Sequence, residues 1–272
     1  MLRYKLIASD FDGTLRHTDG EVSEETKETV REFTSRGGIF ALCTGRMTAS
    51  ILPRAREMGL NGLAVAYQGG VIVDTASGKI LRDERIPCSD TVEICRFLEQ
   101  DNHLHVYDGD RFFVNENDGF LAMYERICRV HGILTPRAVS RTVEAEHVSA
   151  NKIVAMCEAE KQAELLSRCR AGFGDRYYIT SSMEQMVEIA PKGVDKGTAL
   201  DFMASYYGIP LAETIGFGDN YNDIPLIRKA GLGIAIGNGV QELKDAAGYV
   251  TKSCDEDGVA YAIKKFALGE EE

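Results

Sequence analysis

A chain of 272 residues, 44% of them hydrophobic, is long for one ordinary domain and can fill a core in each of two unequal ones. Its net charge of −11 argues against a general nucleic-acid or anionic-membrane surface, since both need a basic field, so neither partner is expected. Seven cysteines, never in a Cys-x-x-Cys pair, suggest reduced buried thiols. With no signal-like or spanning apolar segment, the expectation is a cytoplasmic protein.

The first apolar run, Leu6-Ile7-Ala8, reads as a buried strand that runs into Asp10-Phe11-Asp12-Gly13-Thr14-Leu15. Two aspartates at the end of such a strand need a shared proton or a cation, because an unpaired buried charge is heavily disfavoured. Like charges about 4 Å apart repel by roughly 4 kcal/mol at an effective dielectric near 20, and a divalent ion with oxygen ligands, magnesium first, reverses that. A helix follows, with Ser23 as N-cap and an end at Gly37-Gly38. A second strand over 39–43 leads into Thr44-Gly45-Arg46. The next helix is expected from near Ser50, with Pro53 in its first turn and its end at Gly59. A third strand over 63–67 turns at Gln68-Gly69-Gly70 into a hairpin partner over 71–73.

Between about 83 and 188 the pattern changes. It predicts helices over 89–101, 118–131 and 159–171, a hairpin over 103–114 turning at Asp108-Gly109, an irregular segment around Pro136, and strands over 152–157, 176–179 and 186–189. This block has a mixed core of its own. The expected organisation is therefore a catalytic core of 1–82 and 189–272 with an inserted cap of 83–188. From Pro191 the alternation resumes: a helix over 195–207, a strand over 214–218 entering Asp219-Asn220-Tyr221-Asn222-Asp223, a helix over 224–230, strands over 233–236 and 249–251, and a tail over 269–272 expected to fray. The fold class expected is α/β: a doubly wound, mainly parallel, Rossmann-like sheet with an inserted α/β cap.

In an open parallel sheet ligands bind beyond the carboxyl ends of the strands. Those positions hold Asp10 and Asp12, Thr44, then Asp219, Asn222 and Asp223, while Lys196 opens a helix, where backbone N–H groups favour an anion. Carboxylates, a hydroxyl, an amide and an ammonium form an inventory suited to a metal and a phosphoryl group. Gly216-x-Gly218 fails as a dinucleotide fingerprint because Tyr221 stands at the third glycine position. His103 and His105 share a strand face and are not read as a metal site.

These residues resemble the haloacid dehalogenase superfamily of phosphohydrolases, and the whole chain looks like its Cof-type branch with a large α/β cap. The resemblance rests on four motifs in order: 10–15, Thr44-Gly45-Arg46, Lys192-Gly193 with Lys196-Gly197, and Gly218-Asp219-Asn220-x-Asn222-Asp223. It implies Asp10 as the nucleophile that becomes an aspartyl-phosphate. It implies Asp12 as general acid and base, with a neighbouring carboxylate keeping its pKa high. Mg²⁺ would be held by Asp10, the backbone carbonyl of Asp12, Asp219 and Asp223, the last directly or through water. Thr44, Gly45 and Lys196 would bind the substrate's phosphoryl group, with Asn222 orienting Lys196 or the phosphate. The implied partner is a small phosphorylated metabolite such as a sugar or cofactor phosphate, acted on by a monomer or small homo-oligomer. A phosphotransferase or mutase using the same intermediate, and a binding protein without turnover, are the alternatives. Tyr107, Arg111 and the segment 181–186 are candidates for the cap rim. Gln68-Gly69-Gly70, where relatives more often have Asn-Gly-Ala, could alter the hinge or the substrate rim, and Pro225 is a second departure.

Overall fold

The computed structural model describes residues 2–135, 138–181 and 183–270. Pro136, part of the 181–186 segment and the end of the tail lie outside the described residues. In chain order the strands are β1 (Leu6–Ser9), β2 (Ile39–Cys43), β3 (Leu63–Ala66), β4 (Val71–Asp74), β5 (Ile80–Asp83), β6 (His103–Asp108), β7 (Arg111–Val114), β8 (Ile133–Leu134), β9 (Lys152–Met156), β10 (Tyr177–Thr180), β11 (Met186–Pro191), β12 (Thr214–Gly218), β13 (Leu232–Ala235) and β14 (Tyr249–Val250).

Eight of them form one sheet in the order β14-β13-β12-β1-β2-β3-β4-β5. The pairs from β14 through to β3 are parallel, and β4 and β5 add an antiparallel edge. The chain steps outward from β1 to β2 and β3 on one side and from β12 to β13 and β14 on the other. The strand order therefore reverses at β1 and β12, where a crevice opens at their carboxyl ends. Alternation along these strands supplies two cores. Ile7, Phe40 and Leu42 pack with Val30, Phe33 and Ile51 on one face, while Leu6, Ala8, Ala41 and Cys43 pack with Leu200 and Met203 on the other. Covered on both faces, these strands read as continuous apolar runs.

The other six strands, all between β5 and β12 in the chain, form a second sheet in the order β10-β11-β9-β6-β7-β8. It is antiparallel apart from the β7–β8 pair. One face packs Ile94, Leu98, Val143 and Cys169 against Leu104, Val106, Ile153 and Val187. The other carries Tyr107, Phe112, Val154 and Met156 in the same apolar cluster as Leu15, Ile51 and Tyr67 of the first unit, so the two sheets share packed surface.

Some local expectations shift. Ser23 caps the first helix, accepting from the N–H of Thr26 at 2.9 Å. The second helix spans Thr48–Glu57, so Pro53 falls in its second turn rather than its first and removes one internal N–H donor. The short helices Val139–Ala145 and Gly258–Ile263 have no counterpart in the sequence reading.

Candidate active site

Asp10 follows β1, and its own N–H donates to Phe217 O of β12 at 3.0 Å, which sets the carboxylate at the reversal crevice. Gly13 turns the chain away with φ of 75°, and a Cβ there would lie 2.7 Å from Asp219 Oδ2. Only glycine supplies both the left-handed turn and the close approach. Thr14 Oγ1 then donates to Asp219 Oδ1 at 2.8 Å.

From the opposite wall, the helix Lys196–Tyr207 begins with Asp195 as N-cap, accepting from Thr198 N at 2.7 Å. That start places the Lys196 side chain, which is wholly buried, against two carboxylates. Its Nζ donates to Asp10 Oδ1 at 2.6 Å and to Asp223 Oδ1 at 2.5 Å. Asp223 Oδ2 in turn accepts from the N–H groups of Asp219 and Asn220, each at 3.0 Å. Asp223 Oδ2 thus takes two bonds, while Oδ1 keeps a lone pair beside its bond to Lys196.

Asp10, Asp219 and Asp223 bring carboxylate oxygens within 4.8 Å of one another. Burial raises the Asp10 pKa well above the usual carboxylate range, and the charges of Asp223 and Asp219 add to this against the opposing pull of Lys196. Burial, then Asp223, pushes Asp219 up to about 7 against Thr14 and Lys196. Burial alone would lower Lys196, but Asp10 and Asp223 outweigh it and raise its pKa. Two of these three carboxylates pair with the one ammonium, leaving a charge excess that a hard divalent cation with oxygen ligands fits.

Asp12 corrects the expected route to an acid. Burial would raise its pKa, but hydrogen bonds and charge from Arg46, with help from Arg16, hold it below the ordinary value. Arg46 grips both oxygens, Nε to Oδ2 at 2.6 Å and Nη2 to Oδ1 at 2.7 Å, and Arg16 Nη1 adds a bond of 2.6 Å to Oδ1. Two guanidiniums, not a second carboxylate, set its protonation in this state.

Thr44 lies just past β2, buried, with its Oγ1 accepting from Arg46 N at 3.2 Å. Asn222 faces Gln68 rather than Lys196: Nδ2 donates to Gln68 Oε1 at 3.0 Å, and Oδ1 is buried without a partner among the described residues. Gln68 Nε2 donates to Glu188 Oε2 at 3.1 Å, and Lys152 Nζ donates to the same oxygen at 3.0 Å.

A cavity of about 690 Å³ opens over this cluster, floored by Asp10, Asp12, Thr44, Gly45 and Asp219. Tyr124, Cys128, Lys152, Val154, Met186 and Glu188 contribute from the second sheet's side. Of the rim candidates, Met183 to Met186 line this space. Tyr107 is fully buried where the second sheet packs on Tyr67 of the first unit, and Arg111 is held at the surface by Asp108 and Glu146. His103 and His105 pair through their Nε2 atoms at 2.8 Å, with His103 Nδ1 on Asp118 at 3.0 Å, a buried network inside the second unit. Lys152 and Glu188 escaped the sequence reading. The one available signal is a lone charge inside each otherwise apolar strand.

Residues 7–263 match the haloacid dehalogenase-like hydrolase family, and the chain belongs to it, in its Cof-type branch. Several of its relatives are named phosphatases. The chain is 27% identical over 282 residues to phosphatase YwpJ of Bacillus subtilis, covering 96% of this chain and 99% of that one. It is 26% identical over 269 residues to the HMP-PP phosphatase of Serratia proteamaculans, covering 96% and 94%. A crystal structure of a haloacid dehalogenase-like hydrolase from Bacteroides thetaiotaomicron superposes with a TM-score of 0.82 at 27% identity, covering 96% of this chain and 99% of that one. The protein is thus an enzyme of the phosphatase type. Among the described residues no helix is long and apolar enough to cross a membrane.

Proposed function

We propose that this enzyme is a Mg²⁺-dependent phosphatase that hydrolyses a small phosphorylated metabolite through an aspartyl-phosphate at Asp10. The observation that carries this is the close cluster of Asp10, Asp219 and Asp223, two of them paired with the buried Lys196 ammonium, at the floor of a cavity sized for a small molecule. Asp10, the Asp12 backbone carbonyl and Asp219 would hold Mg²⁺, with Asp223 behind them. The bound ion would supply positive charge to phosphoryl oxygens as negative charge spreads over them.

In this reading Asp10 attacks phosphorus in line, the P–O bond to the leaving group breaks, and Asp12 delivers a proton to the departing alkoxide. Asp12 then takes a proton from the water that opens the acyl phosphate, restoring both carboxyl groups. Its resting charge is held by Arg46 and Arg16, so loading a proton requires those guanidiniums to loosen, and an incoming phosphoryl anion is a natural competitor for them. Lys196 has one N–H left after Asp10 and Asp223 and would turn it to a phosphoryl oxygen beside Thr44 and the Gly45 peptide. Asn222, through its unpartnered carbonyl, would accept from a donor on the leaving group.

The segment 83–188 would act as the cap over a core of 1–82 and 189–272, excluding water and favouring a sugar or cofactor phosphate over a polymer. The cysteines are all free and, apart from Cys88, buried, which supports a reducing, cytoplasmic setting. The test is hydrolysis of a chromogenic aryl phosphate with Mg²⁺ and with chelator. Turnover restored by added Mg²⁺ is expected, and equal rates under both conditions would overturn the reading.

A further inference from the structure

The loop Thr44-Gly45-Arg46 presents three consecutive backbone carbonyls, and each is taken by a different group. Thr44 O accepts from Gln68 N at 3.0 Å and Arg46 O from Tyr67 N at 3.0 Å. These two donors belong to a turn in which Tyr67 and Gln68 both sit in the left-handed region, at φ of 53° and 60°. Such backbone costs of order 1–3 kcal/mol per residue and persists only where its surroundings over-determine it. The middle carbonyl, Gly45 O, accepts instead from Lys152 Nζ at 2.7 Å, a side chain that reaches across from β9 of the second sheet.

Lys152 is itself fixed. It is buried, its ammonium lies 5.1 Å from the centre of the Tyr107 ring, and it pairs with Glu188 of β11. Glu188 is tied back to the first unit by Gln68 Nε2. Gly45 makes that tie possible, since a Cβ there would stand 2.4 Å from Gln68 Nε2.

The Gly45 carbonyl and the Arg46 N–H are the two ends of one planar trans peptide and point in opposite directions. One end is held by Lys152 and the other holds Thr44 Oγ1. Turning this peptide therefore turns the hydroxyl that faces the phosphoryl position. We propose that Lys152 is a positioning residue for the phosphoryl-gripping loop, setting the Gly45–Arg46 peptide, and with it Thr44, only while the second sheet lies over the core. The inference rests on the phosphatase reading above and deepens it: the second sheet completes the phosphoryl site as well as roofing it. Gln68 serves the same contact, which gives the departure at 68 a role at the hinge.

The test uses the full-length enzyme with Mg²⁺ and a chromogenic aryl phosphate, which has no hydroxyls for the second sheet to recognise. Lys152→Ala is expected to lower kcat by about 100-fold, the scale of a misplacement near 1 Å in a catalytic group. KM should stay within about threefold, because the loss falls on the transition state. Added ethylammonium or propylammonium should restore kcat saturably, and Lys152→Arg should keep most of it. A wild-type kcat in Lys152→Ala, or a loss that neither alkylammonium nor arginine recovers, overturns the proposal. If Lys152→Ala does not fold, Lys152→Arg and Lys152→Met decide, kcat kept in the first and lost in the second supporting it and equal kcat overturning it. A wild-type enzyme without Mg²⁺-dependent turnover would instead sink the underlying phosphatase reading.

Discussion

Lys196 shows at the scale of one residue how stability and chemistry are joined. Its ammonium is removed from water and answers two carboxylates that are also removed from water. Deleting one partner of such a buried set leaves uncompensated charge, at a cost of about 3–5 kcal/mol. Lys196→Met is expected to lose that much stability in chelator, measured by urea unfolding, and to regain part of it in excess Mg²⁺, since an ion bound only by the folded state stabilises it. A variant as stable as wild type in chelator, or one indifferent to Mg²⁺, would contradict this account. Asp12 teaches a different point. Its position two residues from Asp10 is readable, but its partners are not, because Arg46 arrives from 34 residues away and only folding shows that its guanidinium grips both oxygens.

At the scale of elements, strand ends were legible and strand faces were not. The motifs after β1, β2 and β12 stood out because polar residues interrupt buried apolar runs where a parallel sheet opens. Strand β6 is buried along nearly its whole length, so alternation could not say which of its side chains faces the cavity, and Tyr107 was placed at a rim it does not reach. The helix Gly258–Ile263 runs on as a π-helix over Lys264–Leu268, and the change of pitch breaks the 3.6-residue period by which a helix is read from sequence. It nonetheless matters for docking the first helix. Asp257, at its start, accepts from Ser23 Oγ, from Thr26 Oγ1 at 3.0 Å, and pairs with His17 Nε2 at 3.0 Å. Burial would raise its pKa, but the Ser23, Thr26 and His17 hydrogen bonds outweigh that and lower it. A lowered folded-state pKa gives stability that is complete above the unfolded value, about 3.9 for aspartate, and is lost as pH falls through the folded value. Asp257→Ala should therefore melt below wild type at pH 7, with the gap closing below about pH 4. A gap that persists unchanged into acid would contradict the assignment.

At the scale of the whole molecule, two sheets meet over one crevice, and the candidate catalytic residues lie on the first while Lys152 and Glu188 reach in from the second. The first set could be read from order and spacing along the chain. The second could not, because a lone charge in an apolar strand marks a burial that needs a partner but not which residue across the interface supplies it. Carboxylates outnumber cations at the site, with Asp10, Asp12, Asp219 and Glu188 lining the cavity beside Arg16, Arg46 and Lys152, so an anionic substrate would need a bound divalent cation to reverse the local field. The central claim is that Asp10 receives the phosphoryl group, and peptide mass analysis after acid quench tests it most directly. An aryl leaving group departs without help, whereas hydrolysis of the intermediate needs the base, so Asp12→Ala incubated with Mg²⁺ and an aryl phosphate should accumulate the intermediate. The expected result is the added mass of one phosphoryl group on the peptide carrying Asp10, abolished by Asp10→Asn; an unmodified peptide, or an adduct on another residue, would rule Asp10 out as the acceptor.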